Sequence, residues 1–333
     1  MIKAFVFGKF LPFHKGHEAM IHFALSKCDF LTVLVCASDK ESITGPIRKS
    51  WVEKTFPDQK NIEVRILDYV ESELPNSSVS SKGVSEVWAT VFKQLFPDYS
   101  LVITSEEYGY FVAEFMHIQH IPFDIPKKLY PVSATSVRND LLTNWTFLPE
   151  AVKRDLVLKV VIVGTESTGK TTLTEDLAAY FNCGKVLEAG RDLIPDSNAF
   201  SIDDLQLVAR EHAKRMEEAA SGDSALVIID TDIHITQSYC RFTFGKDLAV
   251  SDDIYNANRA DLYLYLNNDV AYFQDGTRLH KEERDLLDIS HRQVLTGRNI
   301  NFVEIKGNWE ERFQMAVEQI KSVIASKGQQ YRY

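Results

Sequence analysis

The middle of the sequence contains a stretch suited to holding phosphate. Residues 164–171, GTESTGKT, fit the pattern G-x-x-x-x-G-K-[ST] and lie between an apolar run and a helix-like segment. Glycines let such a loop curl so that backbone N–H groups point at a phosphate, and the helix N-terminus adds partial positive charge. Lys170 is expected to reach the β- and γ-phosphates of ATP, and the Thr171 hydroxyl to hold Mg2+. The residues expected to contact ATP here are Gly164, Glu166, Ser167, Thr168, Gly169, Lys170, Thr171 and Thr172.

Four carboxylates compete for the other roles that phosphoryl transfer requires. Asp230 ends an apolar run and fits a Mg2+ ligand, so Thr171 and Asp230 are the expected metal residues. Asp232 could orient or deprotonate an acceptor hydroxyl. Glu188 and Asp192 are alternatives for that role, because they follow the second strand of the domain. The sequence leaves the choice open, since any one of them could be a solvated loop charge.

Two arginines complete the kinase-like set. Arg191 could bind the acceptor or the transferring phosphoryl group. Arg278 lies in a polar segment suited to a lid that closes over ATP and excludes water. The alternative for Arg278 is a surface ion pair of little energetic weight.

A second kind of chemistry is indicated at the end of the first strand. The segment GKFLPFHKGH at 8–17 contains H-x-G-H, with His14 and His17 on either side of Gly16. Imidazoles so placed can both point at one phosphoryl oxygen, while the glycine lets the backbone approach a ligand. The helix that begins near His17 offers its N-terminus to phosphate. Two unrelated loop histidines are the alternative interpretation.

The segment SATSVR at 133–138 gives a further phosphate signal. It follows residues 129–132, which are strand-like, so Ser133 and Thr135 are expected near a helix start. Such hydroxyls are ordinary N-caps. With backbone N–H groups and Arg138 in the first turn, they also make a phosphate site.

Strand-like and helix-like segments alternate along both halves of the 333 residues. The alternation predicts an α/β protein with parallel sheets and ligand sites at the carboxyl ends of strands. We expect two domains, at 1–150 and 151–333. The net charge of −10 argues against nucleic-acid binding. No apolar run reaches membrane-spanning length, no signal peptide is evident and the four cysteines are scattered, so a cytoplasmic location is expected.

The two N-terminal motifs resemble the signatures of the nucleotidyltransferase superfamily, usually written H-x-G-H and I-S-x-T-x-x-R. With the central phosphate loop, nearly all of the chain resembles the bifunctional nicotinamide-nucleotide adenylyltransferase and ribosylnicotinamide kinase of the NadR type. The resemblance implies a Rossmann-like nucleotidyltransferase domain followed by a P-loop kinase domain. Lys9 stands where that superfamily more often has arginine. Some members also carry an N-terminal helix-turn-helix, which is not expected here because the sequence begins at the first catalytic strand.

The resemblance also implies substrates and roles. The kinase half would phosphorylate nicotinamide riboside, and the other half would join the mononucleotide to AMP from ATP, giving NAD. His14 and His17 would be catalytic in the first half, and Lys170, Asp230 and Asp232 in the second. ATP in the first half would contact Gly8, Lys9, Gly16, Ser133, Thr135 and Arg138. The riboside would contact Glu188, Arg191, Asp192 and Tyr239, with Phe242 as an alternative aromatic residue.

Three other interpretations remain open at this point. The pair of domains could serve another small phosphorylated substrate, because H-x-G-H says little about the acceptor. A nucleotide sensor with a degenerate site is a second alternative, although the motif residues are intact. A DNA-binding regulator responsive to NAD is a third, but no DNA-binding motif is recognisable in the sequence.

Overall fold

The computed structural model describes residues 1–76, 81–194, 199–269 and 281–330. Within the described residues the chain forms two compact units, the first comprising Met1–Asp155 with 328–330, and the second Leu156–Lys327. Both units are α/β, as the alternation of segments predicted. In the described ranges no helix is long and apolar enough to cross a membrane.

The first unit is built on five parallel strands. In the order β3-β2-β1-β4-β5, the central strand is β1, which pairs with β2 on one side and β4 on the other. The strands are β1 (Lys3–Gly8), β2 (Phe30–Ser38), β3 (Ile62–Tyr69), β4 (Leu101–Thr104) and β5 (Gln119–Pro122). The helices are α1 (Lys15–Leu25), α2 (Gly45–Thr55), α3 (Lys82–Leu95), α4 (Tyr108–Met116), α5 (Ala134–Asn139) and α6 (Glu150–Leu156), with a 3-10 turn at Trp145–Phe147.

Aromatic packing on one face of this sheet explains the position of α3. Trp88 and Phe92 lie four residues apart, so they share one face of the helix, and Phe96 caps its end on the same core. The rings of Phe5 and Phe96 are stacked with centroids 4.6 Å apart, and those of Phe7 and Phe92 are also 4.6 Å apart. This apolar face fixes the sheet from which the first site projects.

One predicted strand of the first unit is wrong. Residues 129–132 are irregular, and the edge of the sheet is instead formed by β5, which pairs with β4 from Gln119 to Pro122. Residues of β5 are only partly buried, as expected of an edge strand, and therefore lack the continuous apolar pattern of β2. The segment 129–132 is held by loop contacts described below.

The division between the units falls in the last turn of α6. Trp145 is buried, and the indole Nε1 of Trp51 donates to the Asp155 carboxylate at 2.6 Å. These contacts attach the connector and α6 to the first unit. The division therefore falls after Asp155, whereas the sequence suggested a boundary after residue 150, at the start of α6.

The second unit has its own sheet of five parallel strands, in the order β10-β9-β6-β8-β7. The central strand β6 pairs with β8 and β9. The strands are β6 (Leu158–Val163), β7 (Gly184–Val186), β8 (Leu226–Asp230), β9 (Leu262–Leu266) and β10 (Val303–Ile305). The helices are α7 (Lys170–Phe181), α8 (Gly190–Leu193), α9 (Ile202–Ala220), α10 (Ile233–Phe244), α11 (Asp252–Ala257), α12 (Lys281–Gly297) and α13 (Trp309–Gln330).

Helix starts in this unit follow the capping signals in the sequence. At α9 the Ser201 side chain accepts from the backbone N–H of Asp204, and the Asp204 carboxylate accepts from that of Ser201. Asn308 and Glu311 make the same reciprocal pair at the start of α13, at 3.1 and 2.8 Å. In each case a polar N-cap residue is followed three positions later by an acidic residue, which is the spacing of a capping box.

Replacing Ser201 with alanine should lower the free energy of unfolding by about 1 kcal/mol, because two N-terminal contacts of α9 are lost. Urea denaturation followed by circular dichroism measures the change. Ser251→Ala is the matched control, since Ser251 occupies the N-cap of α11 without a side-chain capping bond. Equal losses in the two variants would contradict this account of α9.

Candidate active sites

One cleft lies where β1 ends and α1 begins, at the topological switch point of the first sheet. It has a volume of about 420 Å3, and we call it the histidine cleft after His14 and His17. All eight residues predicted from the two motifs line it, namely Gly8, Lys9, His14, Gly16, His17, Ser133, Thr135 and Arg138. Residues more than a hundred positions apart are thus brought to one cleft.

The two histidines form a stacked pair. Their ring centroids are 3.7 Å apart, and Nδ1 of His14 accepts a hydrogen bond from the backbone N–H of Gly16 at 3.2 Å. Because Nδ1 accepts, the neutral imidazole of His14 carries its proton on Nε2. Burial lowers the pKa of His14 to about 3, and the nearby Lys127 ammonium adds to the effect. Burial, His14 and Lys127 also hold the pKa of His17 well below its ordinary value.

Gly16 is needed for this arrangement. A Cβ atom at this position would lie 3.0 Å from Cε1 of His14 and 3.6 Å from Cβ of Tyr130. Any side chain would therefore press on the His14 ring.

The SATSVR segment forms the other wall of the cleft. Ser133 caps α5 and forms a capping box with Ser136, so its hydroxyl has the structural role predicted as the alternative. The Arg138 guanidinium donates to the carbonyl of Leu11 and to the Thr135 hydroxyl. Arg138 therefore spans both motifs.

Lys9 belongs to a buried charge network that the sequence analysis missed. Its Nζ lies 2.9 Å from Glu41, and Glu41 also pairs with the fully buried Arg48 at 2.7 Å. Glu71 is 3.8 Å from the same ammonium. Glu41 follows β2, Arg48 lies in α2 and Glu71 follows β3. No local sequence pattern links these residues, because only the sheet brings them together.

The second site is the loop between β6 and α7, at the switch point of the second sheet. Gly164 has φ of +144°, and a Cβ there would lie 2.7 Å from the carbonyl oxygen of Leu266. Gly169 has φ of +89°, and a Cβ there would lie 2.8 Å from the Trp309 ring. Only glycine fits at these two positions, which confirms the structural basis of the motif.

The C-terminal helix holds this loop in place. Arg312 of α13 is fully buried and donates to the carbonyls of Thr168 and Asn267 at 3.1 and 2.9 Å. It also pairs with Asp269. No local sequence pattern marks Arg312, because Thr168 and Asn267 lie far away along the chain.

The loop residues with predicted chemical roles converge. Nζ of Lys170 donates to the carbonyl of Thr165 at 3.0 Å, and the Thr171 hydroxyl donates to the Asp230 carboxylate at 2.5 Å. Thr171 and Asp230 thus offer two adjacent hard oxygen ligands. Mg2+ is commonly held by such groups together with substrate phosphates and water, so these residues fit the ion.

A cavity of about 500 Å3 adjoins the loop, and we call it the P-loop cavity. Of the predicted residues, those that line it are Glu166, Ser167, Gly169, Lys170, Thr171, Thr172, Glu188, Arg191 and Tyr239. Arg191 lies 3.4 Å from Glu188, and the Tyr239 hydroxyl donates to Glu166 at 3.2 Å. Phe200 also lines the cavity and was missed, whereas Phe242 does not line it. Arg278 lies outside the residues that the structure describes.

Two of the competing carboxylates are engaged elsewhere. Asp232 is fully buried and caps α10, while its Oδ2 lies 2.5 Å from His234 and 3.0 Å from the Tyr263 hydroxyl. Asp192 pairs with Arg215 at 2.7 Å. Neither Asp232 nor Asp192 lines the P-loop cavity, whereas Glu188 does.

Comparison with known proteins agrees with this division of the chain. A family model described as an AAA domain matches residues 159–312. The "Trifunctional NAD biosynthesis/regulator protein NadR" of Escherichia coli (strain K12) is 29% identical over 349 residues, covering 97% of this chain and 83% of that protein. The protein of the same name from Salmonella typhimurium is 29% identical over 346 residues, with the same coverage.

Two solved structures match over both units. A NadR protein in complex with NAD and AMP-PNP matches with a TM-score of 0.66, and one in complex with NR with a TM-score of 0.67. Each is 20% identical and covers 97% of this chain and 96% of the other. This likeness establishes a shared fold over the whole chain.

The fold and the sites define an α/β protein in which a Rossmann-like unit precedes a unit with a phosphate-binding P-loop. The two sequence relatives and the two solved structures each match 97% of the chain. The chain is a homologue of the NadR proteins, as the two N-terminal motifs and the central loop predicted.

Acidification should destabilise the protein through His14. The unfolded chain binds a proton near pH 6.5, whereas folded His14 stays neutral down to about pH 3, so stability falls as the pH drops below 6.5. One such group lowers the free energy of unfolding by about 2 kcal/mol between pH 6.5 and about pH 5. Urea denaturation at pH 7 and 5 should show a smaller loss for His14→Gln than for the wild type.

The other buried histidines keep this comparison valid. His212 and His291 also have pKa values lowered by burial, but they are present in both proteins and cancel in the difference. His14 helps to lower the pKa of His17, so His17 loses that contribution in the variant, which makes the acid loss of the variant smaller still. Equal losses in wild type and variant would show that His14 is not held neutral.

Proposed function

We propose that the chain makes NAD in two steps, with one step at each site. The second unit transfers the γ-phosphoryl group of ATP to the 5′-hydroxyl of nicotinamide riboside. The first unit joins the resulting mononucleotide to AMP from ATP and releases pyrophosphate. The proposal rests on homology to NadR proteins, whose names and solved complexes include NAD biosynthesis, NAD, AMP-PNP and NR.

The observation that carries the proposal is that each unit has its own phosphate site with the expected residues around it. Eight motif residues line the histidine cleft. Lys170 and Thr171 line the P-loop cavity, and the Thr171 hydroxyl is bonded to Asp230. A sensor needs one nucleotide site, whereas two differently built sites suit two transfers.

In the second unit, catalysis is positioning and charge stabilisation. The backbone N–H groups of the loop and Lys170 would hold the β- and γ-phosphates. Thr171 and Asp230 would hold Mg2+, which neutralises charge on the phosphates when it is bound. Glu188 would accept the proton of the attacking hydroxyl, because it is the carboxylate among the predicted acceptor candidates that lines the cavity.

The acceptor site suits a ring with a partial or full positive charge. Tyr239 and Phe200 place aromatic groups in the P-loop cavity, and an aromatic face attracts a cation such as a pyridinium. Arg191, held near Glu188, would contact the ribose or the transferring group. Asp192 and Asp232 would have structural roles only, because Asp192 pairs with Arg215 and Asp232 caps α10.

In the first unit, no nucleophilic side chain is required. The mononucleotide phosphate attacks the α-phosphorus of ATP in line, the new P–O bond forms and pyrophosphate leaves. Nε2–H of the neutral His14 would donate to an oxygen of the α-phosphate, and His17 would stabilise the same region. Lys9, Ser133, Thr135 and Arg138 would hold the β- and γ-phosphates.

The test is a crossed experiment on two sites. Purified protein is incubated with Mg2+ and ATP plus either nicotinamide riboside or the mononucleotide, and products are separated by chromatography. Lys170→Ala should abolish phosphorylation of the riboside and leave NAD formation from the mononucleotide unchanged. His17→Ala should lower adenylyltransfer by about two to three orders of magnitude, as expected for one lost transition-state donor, and leave the kinase unchanged.

Each variant serves as the control for the other activity. Loss of both activities in either variant would contradict independent sites. Absence of product from both substrates with the wild type would favour a nucleotide sensor.

Glu188→Gln should lower the kinase kcat by about 10²- to 10⁴-fold, the range for loss of a general base. Asp192→Asn should keep most of the rate, since Asp192 pairs with Arg215 outside the cavity. Steady-state rates with nicotinamide riboside compare the two variants. A larger defect in Asp192→Asn than in Glu188→Gln would reverse the assignment.

A further inference from the structure

The histidine cleft contains a cation that neither motif includes. Lys127 lies after β5, shortly before residues 129–132, for which the sequence suggested a strand, and it lines the cleft. Lys127 therefore shares the cleft with His14 and His17, and its charge lowers the pKa of both.

The loop that carries Lys127 is firmly built. The carboxylate of Asp124 accepts backbone N–H groups from Lys128, Leu129 and Tyr130 at 2.8, 2.9 and 3.2 Å. The backbone N–H of Lys127 donates to the carbonyl of Asp124 at 2.8 Å. These bonds hold Asp124 and Lys127 at φ of 40° and 52°, values that few non-glycine residues adopt. The loop thus directs Lys127 into the cleft.

Lys127 is paired with a second residue of the cleft wall. Its Nζ lies 2.9 Å from Oε1 of Glu106, at the end of β4. The side chains are 37% and 43% exposed, so water screens the pair and its net energy is small. The Lys9–Glu41 pair in the same cleft differs, because its side chains are only 17% and 1% exposed.

We propose that Lys127 binds a substrate phosphate group during adenylyltransfer, and that Glu106 holds its ammonium until that phosphate replaces the carboxylate. This inference rests on the proposed function of the first unit. Lys9 is tied to a buried carboxylate, whereas Lys127 can exchange an exposed one for a doubly charged anion at little cost. A point charge on a flexible stem suits a phosphate that moves along a reaction path.

Two phosphate sources share this chemistry, the mononucleotide and the triphosphate of ATP. Kinetics with each substrate varied separately distinguishes them. If Lys127 binds the mononucleotide, Lys127→Ala raises KM for the mononucleotide and leaves KM for ATP near the wild-type value. The reverse pattern assigns Lys127 to ATP.

The experiment measures adenylyltransfer by full-length wild type, Lys127→Ala, Lys127→Arg, Glu106→Gln and Lys128→Ala. Lys127→Ala should lower kcat/KM by about 10- to 100-fold, the effect of one charge-assisted hydrogen bond, while riboside phosphorylation is unchanged. Lys127→Arg should restore most of the activity. Lys128→Ala is the matched control, because Lys128 is exposed and does not line the cleft.

Glu106→Gln separates a binding role from a structural one. Freeing Lys127 should leave kcat/KM equal to or above that of the wild type. The proposal is overturned if Lys127→Ala keeps its activity within twofold, or if Glu106→Gln loses as much as Lys127→Ala, because the pair would then merely hold the loop.

A binding measurement keeps this test independent of the proposed reaction. Inorganic tripolyphosphate is titrated calorimetrically into Lys170→Ala protein, in which the P-loop site is weakened, with and without Lys127→Ala. Weaker binding in the double variant supports the phosphate role even if the wild type makes no NAD, a result that would count against the proposed function alone. Equal binding, together with unchanged kinetics, overturns the inference.

Discussion

Each candidate site lies at the start of a helix that follows a central strand, where the helix dipole favours an anion. β1 and β6 lie inside their sheets and are paired on both sides. After the carboxyl end of each strand the chain leaves the sheet, and α1 or α7 begins. The first N–H groups of a helix have no partner within it and favour an anion. Phosphate is therefore favoured at these two places by topology, before any side chain is considered. The side chains then decide which phosphate chemistry follows.

The same topology explains why motif residues could be predicted and many of their partners could not. H-x-G-H, SATSVR and the P-loop are local patterns, because each covers one turn and one helix start. Glu41 acts through its contact with Lys9, across the sheet. Arg312 acts through its contact with Thr168, which is 144 positions away along the chain. No periodicity or spacing reports such contacts. The strand β5 was missed for a related reason, since its half-exposed edge position does not require an apolar pattern.

The choice among carboxylates shows where sequence reasoning ends. Asp230 ends a strand, and Asp232, Glu188 and Asp192 come soon after one, so the position of each along the chain is equally compatible with catalysis. Their partners separate them: Asp232 is bound by Tyr263, 31 positions away, and Asp192 by Arg215, 23 positions away. A buried carboxylate with four hydrogen bonds, such as Asp232, is a structural element, whereas one that lines a cavity remains available to a substrate.

The cations of both sites already have partners, which affects how an acidic protein can bind phosphate. Lys170 contacts a backbone carbonyl, Lys9 and Lys127 contact carboxylates, and Arg138 contacts Leu11 and Thr135. Phosphate binding is thus an exchange of partners, and its net energy is the difference between two sets of contacts. Such exchange keeps the binding of ground-state phosphates moderate, which favours turnover, because binding energy that is equal in ground and transition states does not raise kcat. The fixed donors, above all the N–H groups at the helix starts, can then act most strongly where charge develops during transfer.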